Sequence, residues 1–268
     1  MEIKTHKPRL LFLTLLITIG LFACKKEIVS TNGYERPVVE GFLVPGKSVL
    51  VKVYYQKYLD DTISYGFPIT GLKLNISDGG KTIELTESSS GSYTYADTNF
   101  VAPNKSYALS FDYNNTTVSS KTTVPSKPEN FVASDSLQQV PVFSFGSTPE
   151  TFVPVTLSWT NTSSGYYLMV IKNMETSRTS LNPRNSSSYR DTELTLGQVS
   201  SYQTRQMMFN YLGRHQLILF HINKEYVDAL NNNGGSSLNL TDPYTNVNNG
   251  LGIFTAMQAD TLQMRVYQ

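Results

Sequence analysis

The chain holds one cysteine, three histidines and one tryptophan in 268 residues. A single cysteine excludes a disulfide framework and any zinc site built on paired thiolates. Charge is also scarce. Asp, Glu, Lys and Arg together make up 16%, with a net +1, which gives no electrostatic reason to expect nucleic acid. No repeat of 20–50 residues marks a solenoid. No Gly-x-Ser-x-Gly elbow or phosphate-loop pattern occurs. What the chain does have is 40% hydrophobic residues, 17 Tyr, 13 Phe, 57 Ser plus Thr and 20 Asn. This is a globular, polar, β-leaning composition typical of exported proteins. The length suits two domains of about 100–150 residues each.

The first 23 residues read as an address. Lys4, Lys7 and Arg9 form a positive start, followed by the uncharged run Leu10–Phe22. That run has 13 residues; a membrane-spanning helix takes about 20, so it fits a signal-peptide core instead. It ends in Leu21-Phe22-Ala23-Cys24, which resembles a bacterial lipobox, with Phe22 bulkier than usual. The sole cysteine thus stands where a lipidated thiol is wanted. Thioether-linked diacylglycerol plus an N-acyl chain exceeds the two-signal requirement for stable anchoring. Cleavage would leave a net charge of −1. Residues 24–35 read as a tether, and Lys25-Lys26-Glu27 resembles the surface-export signal of Bacteroidota lipoproteins.

Beyond the tether the hydrophobic period is two. Val38–Leu43 follows Pro37 as a strand; Val49, Val51 and Val53 alternate with Leu50, Lys52 and Tyr54. Leu72, Leu74 and Ile76 lead to Asp78-Gly79-Gly80, a tight turn into Thr82, Ile83 and Leu85. Tyr93 with Tyr95, then Tyr107 to Phe111, then Thr116–Thr123 complete about seven short strands. Pro125 and Pro128 mark the exit. In the second half, Val153, Val155, Leu157 and Trp159 share a face. The Tyr-rich run 167–171 after a turn makes this order resemble strands B and C of a fibronectin type III domain. Leu217–Ile222, apolar on both faces, reads as a central strand. Asn223 is placed to cap a short helix over Lys224–Leu230, with Tyr226, Val227 and Leu230 on one side. Leu262, Met264 and Val266 read as a closing strand. The expected fold is all-β: two antiparallel β-sandwich domains. Residues 36–125 form an immunoglobulin-like or transthyretin-like sandwich, and 128–268 a fibronectin type III-like one with a short helical insertion.

Several segments carry a family resemblance. They are Pro37-Val38-Val39-Glu40-Gly41, Ile69-Thr70-Gly71, Leu85-Thr86-Glu87, Gly91-Ser92-Tyr93 and Asn104-Lys105-Ser106-Tyr107. Later come Asn223-Lys224-Glu225-Tyr226 and Asn246-Val247-Asn248-Asn249-Gly250-Leu251-Gly252-Ile253-Phe254. With the lipobox they resemble an uncharacterised Bacteroidota outer-membrane lipoprotein family known as a domain of unknown function. Its genes often stand beside those of TonB-dependent receptors. The resemblance covers nearly all of the mature chain, and the Asn-x-x-Asn-Gly-x-Gly-x-Phe segment is its most specific piece. It implies a partner at the outer membrane and offers no established catalytic residues to carry over. Physically, Gly250 and Gly252 suggest a bend with positive φ or close backbone approach, after which Phe254 docks on the core. A ligand loop built from Asn246, Asn248 and Asn249 is the competing reading.

Candidate chemistry is thin. His215 and His221 lie six apart on one strand, about 20 Å, too far to share a metal, and His221 reads as a core histidine. Asp60-Asp61 and Glu84/Glu87 are the acid pairs. A weakly marked glycan hydrolase would need two carboxyls about 5–10 Å apart, with Asp60 or Glu87 as members. A calcium loop from Asp60, Asp61 and Asp78 has no spacing signature. The loop 56–68 combines aromatics with acids, and Tyr58, Tyr65 and Phe67 are its candidate partner contacts. The 173–192 loop, with Arg178, Arg184, Tyr189 and Arg190, is a second candidate surface. Asp-Ser/Thr followed by an apolar residue resembles the Bacteroidota O-glycosylation sequon. It occurs at Thr62, Ser136 and Thr261, where composition alone predicts about 0.8 occurrences. The expected function is a non-enzymatic accessory or binding protein, without cofactor or metal, lipid-anchored at the outer membrane through Cys24. It would be associated with a TonB-dependent receptor. A fimbrial or adhesin-type sandwich subunit is the second expectation and the hydrolase the third.

Overall fold

The computed structural model describes residues 36–56, 66–141, 151–181, 190–232 and 244–268. Eight strands build the first sandwich from alternating residues. They are β1 (Pro37–Leu43), β2 (Val49–Tyr55), β3 (Asn75–Ser77), β4 (Thr82–Glu84), β5 (Thr86–Ser89), β6 (Ser92–Tyr95), β7 (Ser106–Tyr113) and β8 (Thr116–Thr123). The even spacing of Val49, Val51 and Val53 sends all three inward, because successive strand side chains point to opposite faces. The Asp78 turn joins β3 to β4 as the sequence implied, with Gly79 at positive φ.

The second sandwich uses β9 (Glu129–Ala133), β10 (Leu137–Gln139), β11 (Thr156–Thr160), β12 (Tyr166–Asn173), β13 (Thr192–Gly197), β14 (Ser201–Gln203) and β15 (Gly213–Ile222). Helix α1 (Lys224–Asn232) follows, and β16 (Leu251–Tyr267) closes the chain. One sheet has the order β14-β11-β9 and the other runs β13-β12-β15-β16. These are the A-B-E and C′-C-F-G orders of a fibronectin type III domain, with α1 in the connection between F and G. Leu217–Ile222, apolar on both faces, does lie in a central strand, between β12 and β16.

β16 is the unusual element. It has 17 residues. Its first six pair in parallel with β1, from Val38 opposite Leu251 to Leu43 opposite Ala256. The next ten pair antiparallel with β15, and β10 adds a second parallel pairing at the far end. One strand therefore serves both sandwiches and fuses a sheet from each into a single nine-stranded sheet. Parallel neighbours require long connections, and β1 and β16 are separated by most of the chain.

The two main cores reflect this sharing. The first gathers residues from Val39 to Val124 and adds Val247, Phe254 and Ala256 from the C-terminal end. The second runs from Phe131 to Leu219, with Met264 and Val266. Assigning everything after residue 128 to the second sandwich thus omits a transfer. The chain returns at 246–256 to finish the first one. Phe254 is fully buried, and its ring fills the space that Gly41 leaves by having no side chain. Gly252 sits at φ +90, and a Cβ there would stand 2.1 Å from the Val39 carbonyl oxygen.

Helix α1 covers a third cluster on the outer face of the fused sheet. Val227 packs with Leu168 and Ile222, and Tyr226 meets Phe42 edge-on at 5.6 Å. Asn223 stands immediately before the helix, at the expected capping position. Its carbonyl accepts from the Tyr226 and Val227 amides, while its side chain turns to the first sandwich. There Nδ2 donates to Thr122 Oγ1 and the Thr123 carbonyl at 3.0 and 2.8 Å. Glu225 joins the same seam, accepting from Thr122 and Thr255 hydroxyls at 2.8 and 3.2 Å.

Candidate functional site

Four of the candidate groups, Glu87, Asp78, His215 and His221, are engaged in holding the fold. Glu87 accepts the Gly71 and Gly91 amides at 2.8 and 2.9 Å, so its two oxygens clamp two turns together. Asp78 accepts from the Gly80 and Lys81 amides and pairs with Lys105 at 3.2 Å. Those amides, then Lys105, hold its carboxyl down to about 2. His215 is buried, with Nδ1 against the Gly213 carbonyl and Nε2 against Asn173 Nδ2. Burial pushes its pKa down and favours the neutral ring. His221 stacks on Tyr167 with centroids 5.0 Å apart and bonds the Ser126 carbonyl. Both histidines are structural. No three His, Cys, Asp or Glu converge among the described residues.

The Asn-rich motif likewise resolves into structure. Asn246 bonds both backbone groups of Phe254, Asn248 pairs with the Ser119 backbone, and Asn249 donates to the Thr117 carbonyl. Ser120 donates to the Asn246 carbonyl. The Asn246 side chain thus braces the returning segment itself, while the Asn248 backbone and the Asn249 side chain stitch it to β8.

Of the expected contact residues, Tyr58 and Tyr65 lie outside the described residues, as do Thr62, Asp60, Asp61 and Cys24. Phe67 is 73% exposed. It stands on a braced stem. The Tyr55 amide donates to the Phe67 carbonyl and Ile69 to the Val53 carbonyl; the buried Tyr93 hydroxyl donates to the Ile69 carbonyl at 2.8 Å. Tyr55, opposite Phe67 in that ladder, is also exposed. Ser136 and Thr261 are both exposed; Asp260 beside Thr261 is paired with Lys127 at 2.8 Å.

A second surface was not anticipated. A cleft of about 550 Å³ opens at the end of β14, lined by Phe152, Pro154, Ser201, Tyr202, Gln203, Thr204, Arg205 and Gln206. Val153 departs from the inward face expected of it and is 73% exposed. Met207 beside the cleft is 91% exposed. The floor is fixed by buried Gln138, whose amide donates to the Gln139 and Val153 carbonyls and whose oxygen accepts from Thr204 Oγ1 at 2.6 Å. Sequence pattern could not reveal this cleft, because its residues come from two segments about 50 apart that meet only in the fold.

Among known families, the model described as a domain of unknown function (DUF4249) matches residues 27–263. Among curated proteins, none matches. A solved structure of the FN1–FN3 domains of chicken CNTN1 is similar at 11% identity, with a TM-score of 0.27. The alignment covers 71% of this chain, and the chain spans 63% of that structure's length.

Proposed function

Since the chain belongs to the DUF4249 family, we propose that it is a non-enzymatic, lipid-anchored outer-membrane accessory protein that binds a partner. A TonB-dependent receptor is the expected partner. The lipobox ending at Cys24 and the 24–35 tether support the anchor. The observation that carries a binding role over catalysis is a division of labour between side chains. Glu87, Asp78, His215 and His221 are occupied in the fold, whereas Phe67, Val153 and Met207 stand in solvent. Large apolar side chains on braced backbone are the usual anchors of protein interfaces.

The alternatives are weaker on specific grounds. A hydrolase using Glu87 would need a carboxylate already committed to the Gly71 and Gly91 amides. A fimbrial subunit needs a vacated groove for a donor strand; here β16 fills the first core from within the same chain.

The anchor is tested by labelling cells with radioactive palmitate. The wild-type chain incorporates label and fractionates with outer membrane, and Cys24→Ala does neither. Membrane fractionation unchanged in Cys24→Ala would remove the anchor from this reading.

A further inference from the structure

The cleft at the end of β14 combines features that recognise a particular chemistry. β14 is the last strand of its sheet, with β11 on one side only. Ser201, Tyr202 and Gln203 pair with Ser158, Leu157 and Thr156. The flanking bonds run from the Trp159 amide to Ser200 and from the Thr204 amide to Val155. In an antiparallel ladder such bonds recur at every second residue, so residues 200, 202 and 204 face β11. The N–H and C=O groups of Ser201 and Gln203 therefore point outward, two residues apart, the repeat that an added strand requires.

Charge is the second feature. Arg205 is exposed, and its guanidinium lies over the Tyr202 ring, 5.6 Å from the centroid. It has no acidic partner among the described residues. A guanidinium held by a ring and lacking a carboxylate is set up for a bidentate anionic guest. The same stacking argues against a neutral sugar. One face of Tyr202 is covered by Arg205, and the ring also packs against the second core. Met207, four residues past the end of β14, adds an exposed apolar side chain.

We propose that this cleft docks an extended acidic peptide segment of a protein partner. The segment adds as a strand along the free edge of β14, places a carboxylate on Arg205 and seats an apolar side chain against Met207. The proposal rests on the partner-binding reading above and adds a second surface to it. Phe67 belongs near the Leu251 end of β16, through Pro37 opposite Tyr55 and Val38 opposite Leu251. Gln138, beneath the cleft, pairs with Val266 at the other end. The two surfaces stand about 50 Å apart along that strand. One chain can thus engage two separate segments.

The test titrates the full lipidated chain in detergent micelles against a fluorescein-labelled octapeptide of alternating Glu and Val, read by anisotropy. Saturable binding is expected, weakened at least about tenfold by Arg205→Glu. Methylating alternate amide nitrogens of the peptide, which removes its strand donors, should cost a similar factor. The Lys–Val peptide should prefer Arg205→Glu over wild type. Melting temperature within a few degrees of wild type qualifies the variant; Arg205→Gln replaces it if that fails, with the same expected direction. No saturable binding up to about 1 mM, or binding indifferent to both Arg205→Glu and N-methylation, overturns the proposal. Loss with Arg205→Glu but not with N-methylation, together with displacement by a polyuronate oligosaccharide, overturns it in favour of an anionic glycan. If Arg205→Glu leaves receptor co-purification and peptide binding both intact, the accessory reading stands and the cleft alone is discarded.

Discussion

Phe254→Ala tests whether the two sandwiches are one thermodynamic body. Phe254 is fully buried in the first core, yet it is supplied by β16, which continues into the second. Truncating a buried Phe typically costs about 3–5 kcal/mol, through lost transfer energy and the cavity left behind. Partial collapse is opposed here because the ring packs against Gly41, which has no side chain to move inward. The single tryptophan, Trp159, makes the measurement selective. It is buried in the second core, between Phe131 at 6.3 Å and Tyr167 at 5.4 Å. Its fluorescence reports the sandwich that the mutation does not touch. If shared β16 and the α1 seam couple the halves, the Trp159 urea transition shifts with that of the first sandwich. The shift is about 1–1.7 M for a slope near 3 kcal/mol/M, and it coincides with the far-UV circular dichroism transition. A Trp159 midpoint that stays put while circular dichroism splits into two steps would refute the coupling.

Other outcomes follow from single contacts. Gly252→Ala forces a methyl group to 2.1 Å from the Val39 carbonyl at a positive φ, so the β1–β16 register must break. Its loss of stability, by urea titration, should equal or exceed that of Phe254→Ala. Asp78 contributes stability that is fully present above about pH 4 and lost as pH falls towards 2, since its folded pKa lies below the unfolded one. Asp78→Asn should flatten that part of the acid-unfolding curve. His215 acts in the same direction higher up. Buried neutral, it contributes fully above about pH 6.5 and less as the ring is driven to protonate. His215→Gln should remove that component of the pH dependence. Phe67→Ala should leave the melting temperature within a few degrees, because the ring is 73% exposed, while weakening receptor co-purification.

Local pattern made most strands legible. Val49, Val51 and Val53, the Asp78-Gly79-Gly80 turn and the doubly apolar Leu217–Ile222 each carry their own signal, because pleat period and turn chemistry are short-range properties. Helix α1 was legible from Tyr226, Val227 and Leu230 for the same reason. What stayed hidden was non-local. The stretch Thr255–Thr261 has mixed polarity because β16 passes from one core to the other and is covered on its outer face by α1. It therefore shows no clean alternation. Gly252 and Phe254 signalled a bend and a docking ring, but nothing in the motif named β1 as the strand they meet. Glu87 and Asp78 looked available only because sequence does not show which amides they satisfy. The β14 cleft depends on two segments meeting, and no window of residues contains it.

The binding role itself is tested most directly by purifying the lipidated chain from solubilised outer membranes and quantifying what accompanies it. Wild type should bring down a TonB-dependent receptor in near-stoichiometric amount, and Cys24→Ala should lose it along with the membrane. Recovery of the wild-type chain alone, with no membrane protein enriched over the Cys24→Ala control, would contradict the account.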